Sequence, residues 1–516
     1  MKTVLQTLCI ACITFIMAHA CTQKLPSYQD IHGNTVQGNG NKVPQEKPDD
    51  KNDSTIEEVY IDGELSVEFQ AVPDFGSEGQ IKIYSNNGTL VDMIDMKDVS
   101  AQPVQMTDNL PYNTTIDFIG PESLKRWRAV YYKPVRVDGK KVLIRPHSNT
   151  LEYGKNYYLT IDRTAFVAEG FKGISEGEMT FRTKSAPSSK GEFTVSKTGE
   201  ADFRTIQGAI EWAYSCGPNA PVTISIKNGT YEEAIFARQN NNITFKGESR
   251  DGVILQYCNA EELANGVGGS ISTKAETGES IGKSGGRAVI LFENCKGIRF
   301  ENMTMKNTYG KPGQAEVIYN NSNGAYTLTF INCSLISLQD TFNTKGYCWM
   351  YNCLVEGDCD FIWGSPKTCL FEKCEIRAAG DGYIVQARCM DSKDKGFVFL
   401  DCNLTKADEV KAGTMYLARS SGSADYYDNV TYINCRMSDA IAPSGWYGKP
   451  VPNPATSSAS SGWKEFSSTD PEGGELSVSS RLQASYQLTE AEYSAGFKDR
   501  EAIFSDSEVG TSWLVL

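Results

Sequence analysis

A short strand signature recurs six times in the second half of this chain. The copies are Leu291-Phe292-Glu293-Asn294-Cys295, Thr329-Phe330-Ile331-Asn332-Cys333, Trp349-Met350-Tyr351-Asn352-Cys353, Leu370-Phe371-Glu372-Lys373-Cys374, Phe399-Leu400-Asp401-Cys402 and Thr431-Tyr432-Ile433-Asn434-Cys435. Successive cysteines lie 20 to 38 residues apart. A unit of that size with one strand cannot bury its own apolar side, so it must stack on its neighbours as a solenoid. The copies are rich in β-branched and aromatic residues, and no helical period separates them. Each therefore predicts one coil of a parallel β-helix. The cysteines hold one position of the repeat and read as small buried apolar side chains. The asparagine beside them predicts a hydrogen-bonded ladder up the stack. One helix is predicted from Thr205 to Tyr214, placed to cap the open end.

The chain has 516 residues, more than one ordinary domain. A formal net charge of -14 argues against nucleic acid as a partner and against an anionic membrane surface. A polyanionic substrate would be preferred in a neutralised form such as an ester. Lys2, the apolar run Val4 to Met17 and Ala18-His19-Ala20 read as an export signal over residues 1–20, too short to span a bilayer. Cys21 follows directly and is the expected lipidation site, with ordinary secretion as the alternative. Membrane contact is expected only through that lipid. Residues 21–54 are polar and rich in Gly, Asn, Asp, Lys and Pro, a tether.

Residues 55–186 alternate apolar and polar in short runs, as in Ser66-Val67-Glu68-Phe69, Ile81-Lys82-Ile83-Tyr84 and Tyr157-Tyr158-Leu159-Thr160-Ile161, with turn signals such as Asn86-Asn87-Gly88 between them. This is a β-sandwich pattern. It resembles the immunoglobulin-like modules of exported bacterial proteins, which implies a spacer. Residues 187–191 close a linker, and 192–516 carry the solenoid. The expected fold class is all-β throughout. Of 15 cysteines, Cys9 and Cys12 leave with the signal; the twelve between 216 and 435 contain no CxxC pair, so zinc is not expected.

The three histidines are His19, His32 and His147, so the solenoid has no imidazole to work with. Asp340 lies seven residues after Cys333, and Asp360 seven after Cys353. Coils stack about 4.8 Å apart, so equivalent positions in adjacent coils sit side by side on one face. Two close carboxylates cannot both ionise freely; one becomes an acid while the other serves as base or nucleophile. A solvated pair at two turns, or a calcium site, is the alternative. The apolar context Phe361-Ile362-Trp363-Gly364 favours chemistry.

Seven motifs then follow in order between residues 202 and 446: Asp202-Phe203-Arg204-Thr205-Ile206-Gln207-x-Ala209-Ile210; Asn228-Gly229-Thr230-Tyr231-x-Glu233; Asn302-Met303-Thr304-Met305-Lys306-Asn307-Thr308 before Gly313-Gln314-Ala315; Gln339-Asp340-Thr341; Gly357-x-x-Asp360-Phe361-Ile362-Trp363-Gly364; Tyr416-Leu417-Ala418-Arg419; and Pro443-x-Gly445-Trp446. Taken together, residues 190 to 516 resemble the pectin methylesterase (pectinesterase) family. The resemblance implies a right-handed parallel β-helix acting on pectin, a homogalacturonan-type polysaccharide, with neither metal nor cofactor; capped coil ends make a monomer the expected state. It implies Asp360 as nucleophile, Asp340 as general acid and then base, Gln314 and Gln339 as oxyanion donors, and Arg419 as the cation that orients Asp360. The chain departs from the family at Leu417-Ala418-Arg419-Ser420-Ser421, where the family reads Leu-Gly-Arg-Pro-Trp and its tryptophan helps to bind the sugar. Phe361, Trp363, Tyr416 and Trp446 are the expected replacements in substrate binding, and a different pectic ester is an alternative substrate. A lyase or a hydrolase on the same fold, or a non-catalytic glycan binder, are the competing readings. A lyase would need calcium, and a binder has no use for the set Gln314, Gln339, Asp340, Asp360 and Arg419.

Overall fold

The computed structural model describes residues 57–101, 113, 115–124, 126–266, 274–275 and 286–516. The expected export signal, Cys21 and the expected tether lie outside the described residues. Among those described, no helix is long and apolar enough to cross a membrane.

From Glu192–Val195 to Tyr486–Gln487 the chain forms one 22-stranded sheet whose pairings are parallel. This is the stacked-coil solenoid. Phe330, Met350, Phe371, Phe399 and Tyr432 occupy one register position in five successive coils. Their aromatic members stack face to face: Phe371 on Phe399 at 4.6 Å and Phe399 on Tyr432 at 4.4 Å, with Phe245, Phe300 and Phe330 doing the same lower down. Ring spacing follows strand spacing, so adjacent coils that carry an aromatic at this position bury one ring against the next, and Met350 interrupts the stack.

The residue before each repeat cysteine turns the corner in the left-handed region. Asn294, Asn332, Asn352, Lys373, Asp401 and Asn434 have φ between 50° and 54°. Asn and Asp tolerate that conformation better than most residues, which explains the choice at five of six positions. The side-chain ladder forms on top of this preference. Asn332 Nδ2 donates to Asn302 Oδ1 at 2.8 Å, Asn352 Nδ2 to Asn332 Oδ1 at 3.3 Å, and Asn434 Nδ2 to Asp401 Oδ1 at 3.3 Å. All twelve described cysteines are free, and those of the repeat are buried.

Ile206–Ser215 is the expected helix, shifted by one residue because Thr205 is its N-cap and accepts from Gly208 N. It buries Ile206, Ala209, Ile210 and Ala213 over the first coils. A feature the repeat does not announce is a second apolar core on the outer wall. There Trp349, Leu370, Val398 and Ile433 pack against Ile503 and Phe504 of the terminal helix Arg500–Phe504.

Before the solenoid, a five-stranded sheet runs Glu57–Val59, Thr180–Thr183, Asn156–Ile161, Gln80–Ser85, Leu90–Asp95. It shares a core with the antiparallel sheet of Leu65–Glu68, Lys141–Ile144 and Val135–Asp138. One hairpin from this region belongs to the other core. Ile119, Val130 and Tyr131, on Ile116–Ile119 and Arg126–Tyr131, pack within the solenoid cluster. Arg126 makes a buried two-pronged pair with Glu293, both contacts 2.8 Å. Arg128, fully buried, donates to the carbonyls of Ile235 (2.8 Å), Val289 (3.1 Å), Gly286 (3.3 Å) and Ala288.

Candidate active site

The strands Phe342–Tyr351 and Leu354–Glu372 pair in register with Phe342 opposite Ile362 and Asn343 opposite Trp363. Asp340 and Asp360 each lie two positions before this pair, and Asp340 N donates to the carbonyl of Cys359 at 3.1 Å. Both aspartates adopt left-handed backbone, φ 64° and 47°. Sparsely populated dihedrals of this kind persist where the surroundings over-determine them. Two glycines of the motif make the coil contact close. A Cβ on Gly364 (φ 128°) would fall 2.2 Å from the carbonyl oxygen of Thr344, and one on Gly357 would fall 2.5 Å from that of Leu338.

Asp360 is held by a matched cation. Arg419, just after Met415–Ala418, donates from Nε to Oδ1 at 2.7 Å and from Nη2 to Oδ2. Such a fork fixes the plane of the carboxylate as well as its charge. The bond to Asp360 pushes the guanidinium above its ordinary pKa. Gln386 Nε2 adds a third donor to Oδ2 at 2.8 Å. Its orientation is set from the other side, because Arg388 donates from Nε (2.8 Å) and Nη2 to Gln386 Oε1.

Asp340 has a different neighbourhood. Arg287 Nη2 donates to its Oδ2 at 2.9 Å. The same guanidinium donates from Nε to both oxygens of Glu316 at 2.8 Å, and from Nη1 to Glu261 Oε2 at 2.8 Å and Gln314 Oε1 at 2.5 Å. Glu316 is fully buried. Burial and then the charge of Glu316 hold the Asp340 carboxyl well above the usual carboxylate range, against the pull of Arg287. Burial likewise pushes Glu316 up to about 7. Gln314 and Gln339 are bridged as parallel neighbours, with Ala315 N donating to the Gln339 carbonyl at 3.2 Å. Since Arg287 occupies Gln314 Oε1, the Nε2 donors of Gln314 are left for another acceptor.

The five polar residues expected at the site are thus brought together. The aromatic expectations need correction. Phe361 is 0% exposed and belongs to the solenoid core. Trp446 is 1% exposed, stacked on Trp463 at 5.3 Å. Neither offers a surface to a ligand. Trp363 is 7% exposed, with the guanidinium of Arg388 at 4.9 Å and that of Arg287 at 5.9 Å from its ring centre. It is a floor beneath the cations rather than a free platform. Tyr416 is half-buried and packs with Tyr383 (5.8 Å) and Tyr447 (5.0 Å), while Arg419 lies 4.9 Å over Tyr383.

Arg287, Glu316, Glu261, Gln386, Arg388, Tyr383 and Tyr447 were not among the expected site residues. A signal existed for one of them: Glu316 stands two residues beyond Gln314 and so points to the same side of an extended chain. Arg287 carries no local signal.

The family model described as Pectinesterase matches residues 192–456. Probable pectinesterase A of Aspergillus niger is 30% identical over 265 residues, covering 51% of this chain and 74% of the relative. Putative pectinesterase 11 of Arabidopsis thaliana is 28% identical over 261 residues, covering 49% and 64%. Pectinesterase QRT1 of the same plant is 28% identical over 267 residues, and the match spans 63% of its length. Both plant relatives are therefore matched over less than two thirds of their own length. Among solved structures, pectin methylesterase PemA from Erwinia chrysanthemi aligns with a TM-score of 0.48 at 22% identity, covering 62% of this chain and 98% of that one.

Proposed function

Because the chain belongs to the pectinesterase family, whose model covers half its length, we propose that it removes methyl esters from galacturonate units of pectin and releases methanol. The carboxylate of Asp360 attacks the ester carbonyl. Gln314 and Gln339 donate to the oxyanion that develops. The bond to the methoxy oxygen breaks, and Asp340 supplies the proton that turns it into methanol. The product is an anhydride between galacturonate and Asp360. Asp340, now ionised, takes a proton from water; the hydroxide adds to the galacturonyl carbonyl and Asp360 leaves as carboxylate. The sum is ester plus water to acid plus methanol, with both aspartates restored.

One observation carries this reading. Of two adjacent carboxylates, Asp360 is clamped by Arg419 and Gln386, whereas Asp340 is buried beside a second acid. The first is set up as a nucleophile and the second as a proton donor. Tyr383, Tyr416 and Tyr447, grouped beside Arg419, supply aromatic surface where Ser420 and Ser421 replace the family's Pro-Trp. The same reading takes residues 1–20 as an export signal, Cys21 as a lipid anchor, 55–186 as an immunoglobulin-like module and 192–516 as the catalytic unit, active as a monomer.

The test is methanol release from highly methylated homogalacturonan by the parent and by Asp360→Asn. Release by the parent alone supports both the reaction and its nucleophile. No release by a folded parent would remove this ester as substrate. The altered Ser420-Ser421 segment favours acetylated and branched pectic esters as the next ones to assay.

A further inference from the structure

Arg287 and Glu316 have no task in the two-aspartate scheme, yet they occupy its centre. Their charge balance is the reason to give them one. Asp360 faces Arg419, one acid against one cation. Asp340 and Glu316 both bond Arg287, two acids against one cation, all three buried. Glu261, on the same guanidinium, is at the rim and partly solvated. Arg388, the next nearest cation, spends two donors on Gln386 and lies over Trp363. An uncompensated negative charge at this depth is costly, and the simplest relief is a retained proton.

Resting on the esterase reading above, we infer that Arg287 and Glu316 are positioning residues that hold one proton across the Asp340–Glu316 pair, keeping Asp340 supplied as the acid for methanol departure. The groups facing Asp340 are Arg287 and Glu316 on one side, Asp360 and Cys359 in the next coil, and Arg388 in the coil after that. Those facing Glu316 are Arg287, Glu261, Asp340 and Tyr319. The upward shifts of both acids agree with a shared proton.

The clamp is also braced from behind. Arg128, from the hairpin that precedes the solenoid, donates to the carbonyls of Gly286 and Ala288, the residues flanking Arg287. Asn259 Nδ2 donates to the same two carbonyls at 2.8 and 3.1 Å. The backbone that carries Arg287 is therefore tied on one side while its guanidinium reaches the catalytic pair on the other.

Two measurements test the inference. In the pH profile of kcat for methanol release, Glu316→Gln removes one negative charge and leaves Asp340 alone with Arg287. The alkaline limb should move down by about one pH unit or more, with KM near that of the parent, and Glu316→Asp should restore part of the shift. A purely structural role would lower activity without moving the limb. Superimposable profiles would overturn the inference. The second measurement is independent of turnover. An infrared difference spectrum at neutral pH, parent minus Glu316→Gln, should show the carbonyl stretch of a protonated buried carboxylic acid; parent minus Asp340→Asn should show it too, and serves alone if Glu316→Gln does not fold. Absence of that band would equally overturn the shared proton. A parent that shows the band yet cleaves no pectic ester would refute the reaction and leave the proton-holding pair standing.

Discussion

Asp340 and Asp360 occupy the same position of adjacent coils. They have the same left-handed backbone and the same burial, 4% exposed in each case. Their partners differ. Asp360 receives a two-pronged arginine 59 residues further along the chain and an amide fixed by a second arginine. Asp340 receives an arginine 53 residues earlier, already committed to another acid. The solenoid makes two places equivalent, and strands from elsewhere make them chemically unequal. That inequality is what an acid and a nucleophile at one pH require.

The comparison can be broken most severely at Asp360. Asp360→Asn keeps the shape and removes the proposed nucleophile, and methanol release should fall by more than about 10³-fold with circular dichroism unchanged. A variant that retains most of its activity would reassign the nucleophile. Arg419→Ala strips the matched cation, leaving Asp360 buried with Gln386 alone. It should lower kcat by about 10²-fold and stability by about 3 kcal/mol, read by steady-state kinetics and denaturant titration.

Arg128→Leu sharpens the other half of the comparison, because it removes the brace behind Arg287 without touching the Asp360 side. Four carbonyls lose a charged donor, so a loss of about 3 kcal/mol is expected. A variant as stable as the parent would show that the hairpin merely rests on the solenoid. Tyr447→Ala, beside Arg419 but away from Arg287, should raise KM by about tenfold with less change in kcat. Unchanged KM would place the sugar elsewhere. The smallest effect is expected from chelators, which should leave turnover as it is; inhibition reversed by calcium would favour a lyase.

Much of this molecule is legible without coordinates. Six copies of one strand signature predict stacked coils, and stacked coils form. Asparagine stands before the cysteine in four of the six copies and marks a corner there, and the corner is left-handed in every copy. Equal seven-residue offsets put Asp340 and Asp360 side by side. All of these follow from one property. A solenoid is quasi-one-dimensional, so spacing along the chain converts directly into position in space. Where that conversion stops, so does the reading. Phe361 and Trp446 looked available because aromatic character is visible in a sequence, but which side of a coil wall a ring lies on is decided by its neighbours. Nothing local in the hairpin Ile116–Ile119 and Arg126–Tyr131 says that its apolar residues complete a different core from that of the strands around it. Arg287 reaches Asp340 across coils, and Glu316 meets it only because burial brings two acids to one guanidinium. The sequence by itself determined the coils, their corners and the adjacency of the two aspartates, since these repeat with the chain. The tertiary structure alone decided that Asp340 shares its arginine with a second buried acid while Asp360 has one to itself, because those charges come from segments with no periodic relation to either aspartate.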